Sequence, residues 1–238
     1  MFFRKHTEID TYDGGKDEIT SIHDSGAKQV GMDIHIFWDK RASAGLALPV
    51  QRRMQQILDI PLHLNDNPVR MTGYSRINQH YDAHTILDEL HNYKRRHAMT
   101  ELILLVLGDD LRTRSGSHLF GISRESVGVS AVSGARLTNE FWGLPADDNV
   151  LVERIAREGL HEIGHLLSLA HCSDASCIMS NPLCFDDLDA KHSWFCHACT
   201  QKYKRLHSHI YTDKTTEQDN TECNKPILMG KQLDPIIT

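Results

Sequence analysis

Long apolar runs are missing from this sequence. Its longest unbroken aliphatic stretch, Leu102 to Leu107, falls far short of the roughly 20 residues that a membrane-spanning helix requires, so no membrane partner is expected. A surplus of positive charge is missing too. Lys and Arg number 26 against 32 Asp and Glu, a net charge of -6 with neutral histidines. That balance argues against nucleic acid as a partner, because neutralising phosphates demands an excess of Lys and Arg. The first ten residues turn charged after two aromatics and offer no apolar stretch followed by a small-residue cleavage site, so no secretory signal is expected and the reading is cytoplasmic. No repeat of 20 to 50 residues and no low-complexity tract is visible.

What remains is a chain of 238 residues, 40% hydrophobic and 24% charged, enough to bury one real core. Residues 1–30 are polar and aperiodic and read as a loosely held extension; residues 213–238 read as a polar tail. Between them, 31–212 is expected to form a single domain, divided into an N-terminal sheet-and-helix part (31–168) and a C-terminal part (169–212). Strands are expected from Met32 to Trp38, over the almost wholly apolar Glu101–Leu107, and in the segments Ser117–Ile122 and Val127–Val132. Helices are expected from Pro49 to Leu58, stopped by Pro61, from about Asp82 to Arg96, over 148–169, and from near Asp186 through Leu206. Strands and helices in this order make an α+β fold.

The helix over 148–169 contains His161-Glu162-Ile163-Gly164-His165. At 100° per residue the two histidines lie about 40° apart in azimuth and about 6 Å apart along the axis, so both imidazoles reach one ion. Glu162 projects roughly 60° from His165. It therefore flanks such an ion, within reach of a bound water, where a general base belongs. With 16 histidines in the chain, His-Glu-x-x-His arises by accident at roughly 5%, and requiring His171 six residues on lowers that to roughly 0.3%. In a continued helix His171 would point about 240° away from His165. The chain must turn between them.

Six cysteines without an export signal point to metal or redox chemistry before disulfides. Four fall into two short-range pairs, Cys172-x4-Cys177 and Cys196-x2-Cys199, the usual arrangement of a closed tetrahedral zinc site. Because Cys172 adjoins His171, this site would clamp the third histidine to the C-terminal part. Cys184 and Cys223 match nothing, and His192 and His197 are peripheral, since four thiolates already fill a tetrahedron. His118 is of interest as part of a possible edge strand beside the cleft.

Taken together, His161-Glu162-x-x-His165-x5-His171-Cys172-x4-Cys177-x-Met179 followed by Cys196-x-x-Cys199 resembles the archaemetzincin (archaelysin) family of zinc metalloproteases. The match is dense over about 150–200 and weaker upstream, at Leu102–Leu107, Leu119-Phe120-Gly121 and Val127–Arg136. The resemblance implies a metzincin-like zincin fold, with a twisted mixed sheet, an active-site helix and a mainly helical C-terminal subdomain. It implies two zinc ions: a catalytic one held by His161, His165 and His171, with Glu162 as general base, and a structural one held by Cys172, Cys177, Cys196 and Cys199. Met179 matches the methionine of the turn beneath the catalytic metal, which it does not ligate. The implied activity is peptide-bond hydrolysis, with a peptide or protein substrate and a monomer as the favoured state. A catalytically inactive, zinc-stabilised binding protein is the alternative.

Two departures stand out. Metzincins usually place glycine three residues after the second histidine, where the chain bends; here that residue is Ser168, and a left-handed conformation costs a non-glycine residue about 1–2 kcal/mol. The turn is expected to survive with local strain. No tyrosine follows Met179 to steady an oxyanion, so that work falls to zinc or to another residue.

Overall fold

The computed structural model describes residues 33–181 and 185–206. The extension at 1–30, the tail at 213–238, Cys184 and Cys223 lie outside the described residues.

The fold is α+β. Its main sheet has five strands in the order β2-β1-β5-β9-β8, formed by β1 (Ile34–Trp38), β2 (Leu62–Asp66), β5 (Leu102–Leu107), β8 (Gly121–Arg124) and β9 (Val129–Ser133). The first four strands in this order run parallel, and β8 closes one edge antiparallel to β9. The apolar run of β5 takes the centre because every one of its residues is apolar and it feeds both core layers: Leu104 and Val106 join one, and Ile103, Leu105 and Leu107 the other. A smaller sheet is ordered β3-β4-β6-β7, from β3 (Tyr74–Ser75), β4 (His80–Asp82), β6 (Asp110–Arg112) and β7 (His118–Leu119).

Helices cover both faces of the main sheet. On one side lie α1 (Ala47–Gln55) and α3 (Asp148–Leu166), which bury Val50, Met54, Ile155, Leu160 and Ile163 against β1 and β5. On the other lies α2 (Ala83–Arg96), whose Ile86, Leu87 and Leu90 form one buried apolar stripe. Asp82 caps α2 by accepting from the Thr85 N–H at 2.8 Å, and Asp147 caps α3 through Asn149 and Val150. Such caps satisfy amide donors that a helix start leaves unpaired. The β2 edge is shielded from α1: the Gln55 side chain accepts from Leu62 N–H at 2.9 Å, and Gln51 donates to Leu62 O at 2.7 Å. The opposite edge, β8, faces α3.

Two sequence expectations change, while the strand expected over Val127–Val132 is present as β9, an interior strand buried along its whole length. Ser117–Ile122 divides between β7 of the small sheet and β8 of the main one. The expected helix from Asp186 to Leu206 is two, α4 (Phe185–Ala190) and α5 (His197–Leu206). It breaks because the chain between them is tied to the segment after the third histidine: His192 N–H donates to Ser176 O at 2.8 Å, and Ile178 N–H donates to Trp194 O at 3.2 Å.

Candidate metal centres and active site

The structure brings the three motif histidines together. His165 Nε2 lies 3.1 Å from His161 Nε2 and 3.2 Å from His171 Nε2. The opposite ring nitrogens are committed elsewhere: His161 Nδ1 to the carbonyl of Ile178 at 2.8 Å and His165 Nδ1 to the carbonyl of Leu169 at 2.9 Å. A carbonyl only accepts, so Nδ1 must carry the proton in both rings and Nε2 presents its lone pair. Lone pairs converging at 3.1–3.2 Å repel one another unless a cation sits among them. Nitrogens about 2.0–2.1 Å from a tetrahedral ion lie about 3.4 Å apart, so the trio fits one small divalent ion. Burial pushes the His161 imidazole down to about 3, helped by the Lys191 ammonium. Burial likewise lowers His165 and His171. All three rings are thus held in the neutral form a metal ligand needs.

The turn required between His165 and His171 is there. Ser168 has φ of 63°, Ser168 N–H donates to His165 O at 2.9 Å, and Leu169 N–H donates to Gly164 O at 2.9 Å. This pair of bonds, with a left-handed residue just past the helix end, is a Schellman motif. The Ser168 hydroxyl donates to the Glu125 carboxylate just beyond β8, which offsets part of the strain. Cys172 N–H then donates to Met179 O at 2.8 Å, fixing His171 to the segment that carries Ile178 and Met179.

Beneath the trio, Met179 is fully buried and presses on α3 at Gly164. A methyl group built on Gly164 would lie 2.3 Å from Met179 Sδ, so the close approach needs glycine at this position of the motif.

Glu162 is 4% exposed, its carboxylate packed on Gly121 of β8. Burial and then the Glu158 carboxylate push it well above the usual carboxylate range, while a hydrogen bond from Ser123 and the Lys191 ammonium oppose the rise. Glu158 lies one helical turn back and 4% exposed, and burial raises it to about 7 against the field of Lys191. Lys191 is itself 3% exposed and donates to Ile178 O at 3.3 Å, the same oxygen that orients His161. Glu158, Lys191, Gly121 and Ser123 were not singled out from the sequence as parts of the site. Buried charges on an otherwise apolar helix face were the available signal for the first.

The four paired cysteines also converge. Together Cys172, Cys177, Cys196 and Cys199 offer one sulfur each within 4.8 Å of one another, as the three histidines offer nitrogens. None forms a disulfide. Cys172 Sγ and Cys196 Sγ are 3.8 Å apart, the spacing of about 3.8 Å expected of two sulfurs each about 2.3 Å from a tetrahedral ion. Cys177 Sγ accepts N–H bonds from Met179 and Cys196, as a thiolate does. Two arginines tie α4 to α3 nearby: Arg154 grips Asp189 at 2.8 and 2.6 Å, and Arg157 lies 3.7 Å from the same carboxylate. His118 is not part of either group; its Nδ1 lies 3.6 Å from Asp110. His192 stacks on Trp194.

A mixed sheet whose antiparallel edge strand lies over the helix carrying His161 and His165, a third histidine beyond a left-handed bend, and a buried methionine after it define a metzincin-like α+β protein. Comparison with known proteins places it further. The model of Peptidase family M54 matches residues 48–205, and the chain belongs to that family. It is 36% identical to the archaemetzincin of Thermococcus kodakarensis over 96 residues, 40% of this chain and 52% of that one. The matched stretches span about half to two thirds of the lengths of the first such relatives. The crystal structure of a zinc-dependent peptidase from Methanocorpusculum labreanum superposes with a TM-score of 0.67 at 37% identity, covering 71% of this chain and 99% of that one. The archaemetzincin of Methanopyrus kandleri, at 24% identity and a TM-score of 0.62 over 76% of this chain and 98% of that one, shares the fold. Among the described residues, no helix is long and apolar enough to cross a membrane.

Proposed function

We propose that this chain is a zinc-dependent peptidase in which His161, His165 and His171 hold a catalytic zinc and Glu162 is the general base. The observation that carries this reading is the convergence of three Nε2 lone pairs, two of them aimed by carbonyls that hold the opposite nitrogen. Zinc bound there supplies a Lewis acid and a water acidified toward a pKa of about 7.

The rest of the reaction falls to the chain's own groups. Glu162 accepts a proton from the attacking water on its carboxylate and delivers it to the leaving amine nitrogen. Burial excludes bulk water from that carboxylate, so the proton passes between these partners and not to solvent. Among the described residues β8 pairs with β9 alone, and its other side offers main-chain groups to an extended peptide, which would orient the scissile bond.

A second, structural zinc belongs to Cys172, Cys177, Cys196 and Cys199, giving two ions per chain. Its place in the reading is mechanical: Cys172 follows His171, and Cys177 precedes Ile178 and Met179, so one closed site steadies both the third ligand and the turn. Residues 31–212 act as one catalytic domain between a polar extension and a polar tail. Four thiols gathered for a metal suit a reducing compartment, and the cytoplasm and a monomeric state complete the proposal. The alternative is a non-catalytic zinc-stabilised binding protein; Ser168 in place of the usual glycine would favour it, and the intact left-handed turn at Ser168 weakens it.

Turnover of a mixed library of internally quenched peptides tests the reading. Wild-type protein is expected to cleave, and Glu162→Gln to keep both zinc ions and lose nearly all activity. Full activity in that variant removes the proposed base.

A further inference from the structure

The general base of the proposed reaction is seated on the sheet and not only on its own helix. Gly121 and Ser123 are alternate residues of β8, so they face the same way, and that way is toward α3. The intervening Ile122 packs into the opposite core layer with α2, and Arg124 pairs with Asp88 of α2 at 2.7 Å. Register fixes the pair: Gly121 stands opposite Val132 and Ser123 opposite Ser130 of the buried β9, and Ser133 N–H donates to Phe120 O at 2.8 Å. The strand therefore has little freedom to slide.

A methyl group built on Gly121 would lie 2.6 Å from Oε1 of Glu162, 2.7 Å from its Cγ and 2.9 Å from its Cδ. Those are the three nearest atoms it would meet, all belonging to one flexible side chain. The Gly121 backbone is not in the left-handed region, so the conformation admits a side chain, and the nearest obstacle is the Glu162 side chain. One step along the same face stands Ser123, whose hydroxyl favours the charged form of that carboxylate.

We infer that Gly121 and Ser123 form the berth that positions Glu162, the missing side chain giving the carboxylate its place against the strand and the hydroxyl fixing its rotation. The inference rests on the reading of Glu162 as general base. It makes β8 serve two purposes, since the strand whose free edge would pair with substrate also sets where the proton acceptor stands. Both residues are positioning residues, acting through Glu162. Because an angstrom of misplacement at a reacting group costs about 100-fold in rate, a methyl group at Gly121 is expected to fall on turnover and not on the fold.

The test compares Gly121→Ala, Ser123→Ala, Ser123→Thr and Glu162→Gln with wild type on the best-cleaved quenched peptide from the library. Gly121→Ala is expected to lose about 100-fold in kcat with KM within about twofold, unchanged zinc content and an unchanged melting temperature. Ser123→Ala should lose at least tenfold in kcat, and Ser123→Thr, which keeps the hydroxyl, should recover most of it. In the Glu162→Asp background, where the carboxylate is drawn back by one methylene, adding Gly121→Ala should cost less than threefold, a coupling that a merely structural glycine would not show. A crystal structure of Gly121→Ala is expected to show the Glu162 carboxylate displaced by about 1 Å or more over an unmoved backbone. Wild-type kcat in both Gly121→Ala and Ser123→Ala, or an unmoved carboxylate in that crystal, overturns the berth while leaving Glu162→Gln inactive and the general reading intact. Full activity in Glu162→Gln overturns the reading and the berth together.

Discussion

The backbone carbonyl of Leu169 accepts the Nδ1 proton of His165 at 2.9 Å, four residues along a chain that has just left its helix. Leu169 occupies that place because Ser168 turns left-handed, with φ of 63°. The residue that stops the helix thus also supplies the geometry that orients the second histidine. Its conformation carries a penalty of about 1–2 kcal/mol for a non-glycine residue, set against a hydroxyl bond to Glu125 worth about 0.5–1.5 kcal/mol.

Ser168→Gly removes the strain and forfeits the bond, so it is expected to leave stability unchanged or raise it by up to about 1 kcal/mol. Ser168→Ala keeps the strain and loses the bond, and is expected to lose about 1 kcal/mol. Urea unfolding of the two variants beside wild type checks the order. A glycine variant less stable than the alanine one contradicts this account of the turn.

Gly164→Ala places a methyl 2.3 Å from Met179 Sδ and 3.0 Å from its Cε. Met179 is fully buried and cannot withdraw without moving Ile178, whose carbonyl holds His161. The expected loss is about 1–3 kcal/mol, as for overpacked cores, together with weaker metal retention by the histidines. Thermal melts and zinc analysis after dialysis against a chelator measure both; a variant equal to wild type in each shows that the turn is looser than drawn.

The chemistry was far more legible in the sequence than the sheet was. His161, His165 and His171 stood out because helical spacing alone predicts that the first two share a face, and the four cysteines because thiols in short pairs have few other uses. Helix geometry showed that the chain turns before His171, and the family resemblance, which places glycine at that position, marked Ser168 as the strained bend. β5 and α2 were legible from an unbroken apolar run and a clean stripe. β3, β4, β6 and β7 were not, since strands of two or three residues are too short to show a period. β2, at five residues with only Leu62 fully buried, lies on an edge and alternates weakly. Gly121 and Ser123 reach the site from a strand far back in the chain, and Lys191 reaches it across 13 residues from a segment outside α3; no local pattern reports such contacts.

Glu158 supplies the expected pH dependence. Burial raises its carboxyl from 4.5 to about 7 in the folded chain, so the native state binds that proton more tightly than the unfolded state does. Its contribution to stability is therefore fullest below about 4.5, falls as pH rises to about 7, and levels off above, a change of about 3 kcal/mol. Glu158→Gln should lose that slope. Denaturant unfolding of the two proteins at pH 5 and pH 8 is expected to show a difference between them that changes by a few kcal/mol; parallel behaviour contradicts the burial of an ionisable group there.

The central claim is that three imidazoles share one ion beside Glu162 while four thiolates share another. Anomalous diffraction at the zinc edge from crystals of the purified protein tests it most directly. The account predicts two peaks, one about 2.0–2.1 Å from Nε2 of His161, His165 and His171, the other about 2.3 Å from the four sulfurs. A histidine trio without a peak, or a peak ligated by Glu162 in place of one of the rings, contradicts it.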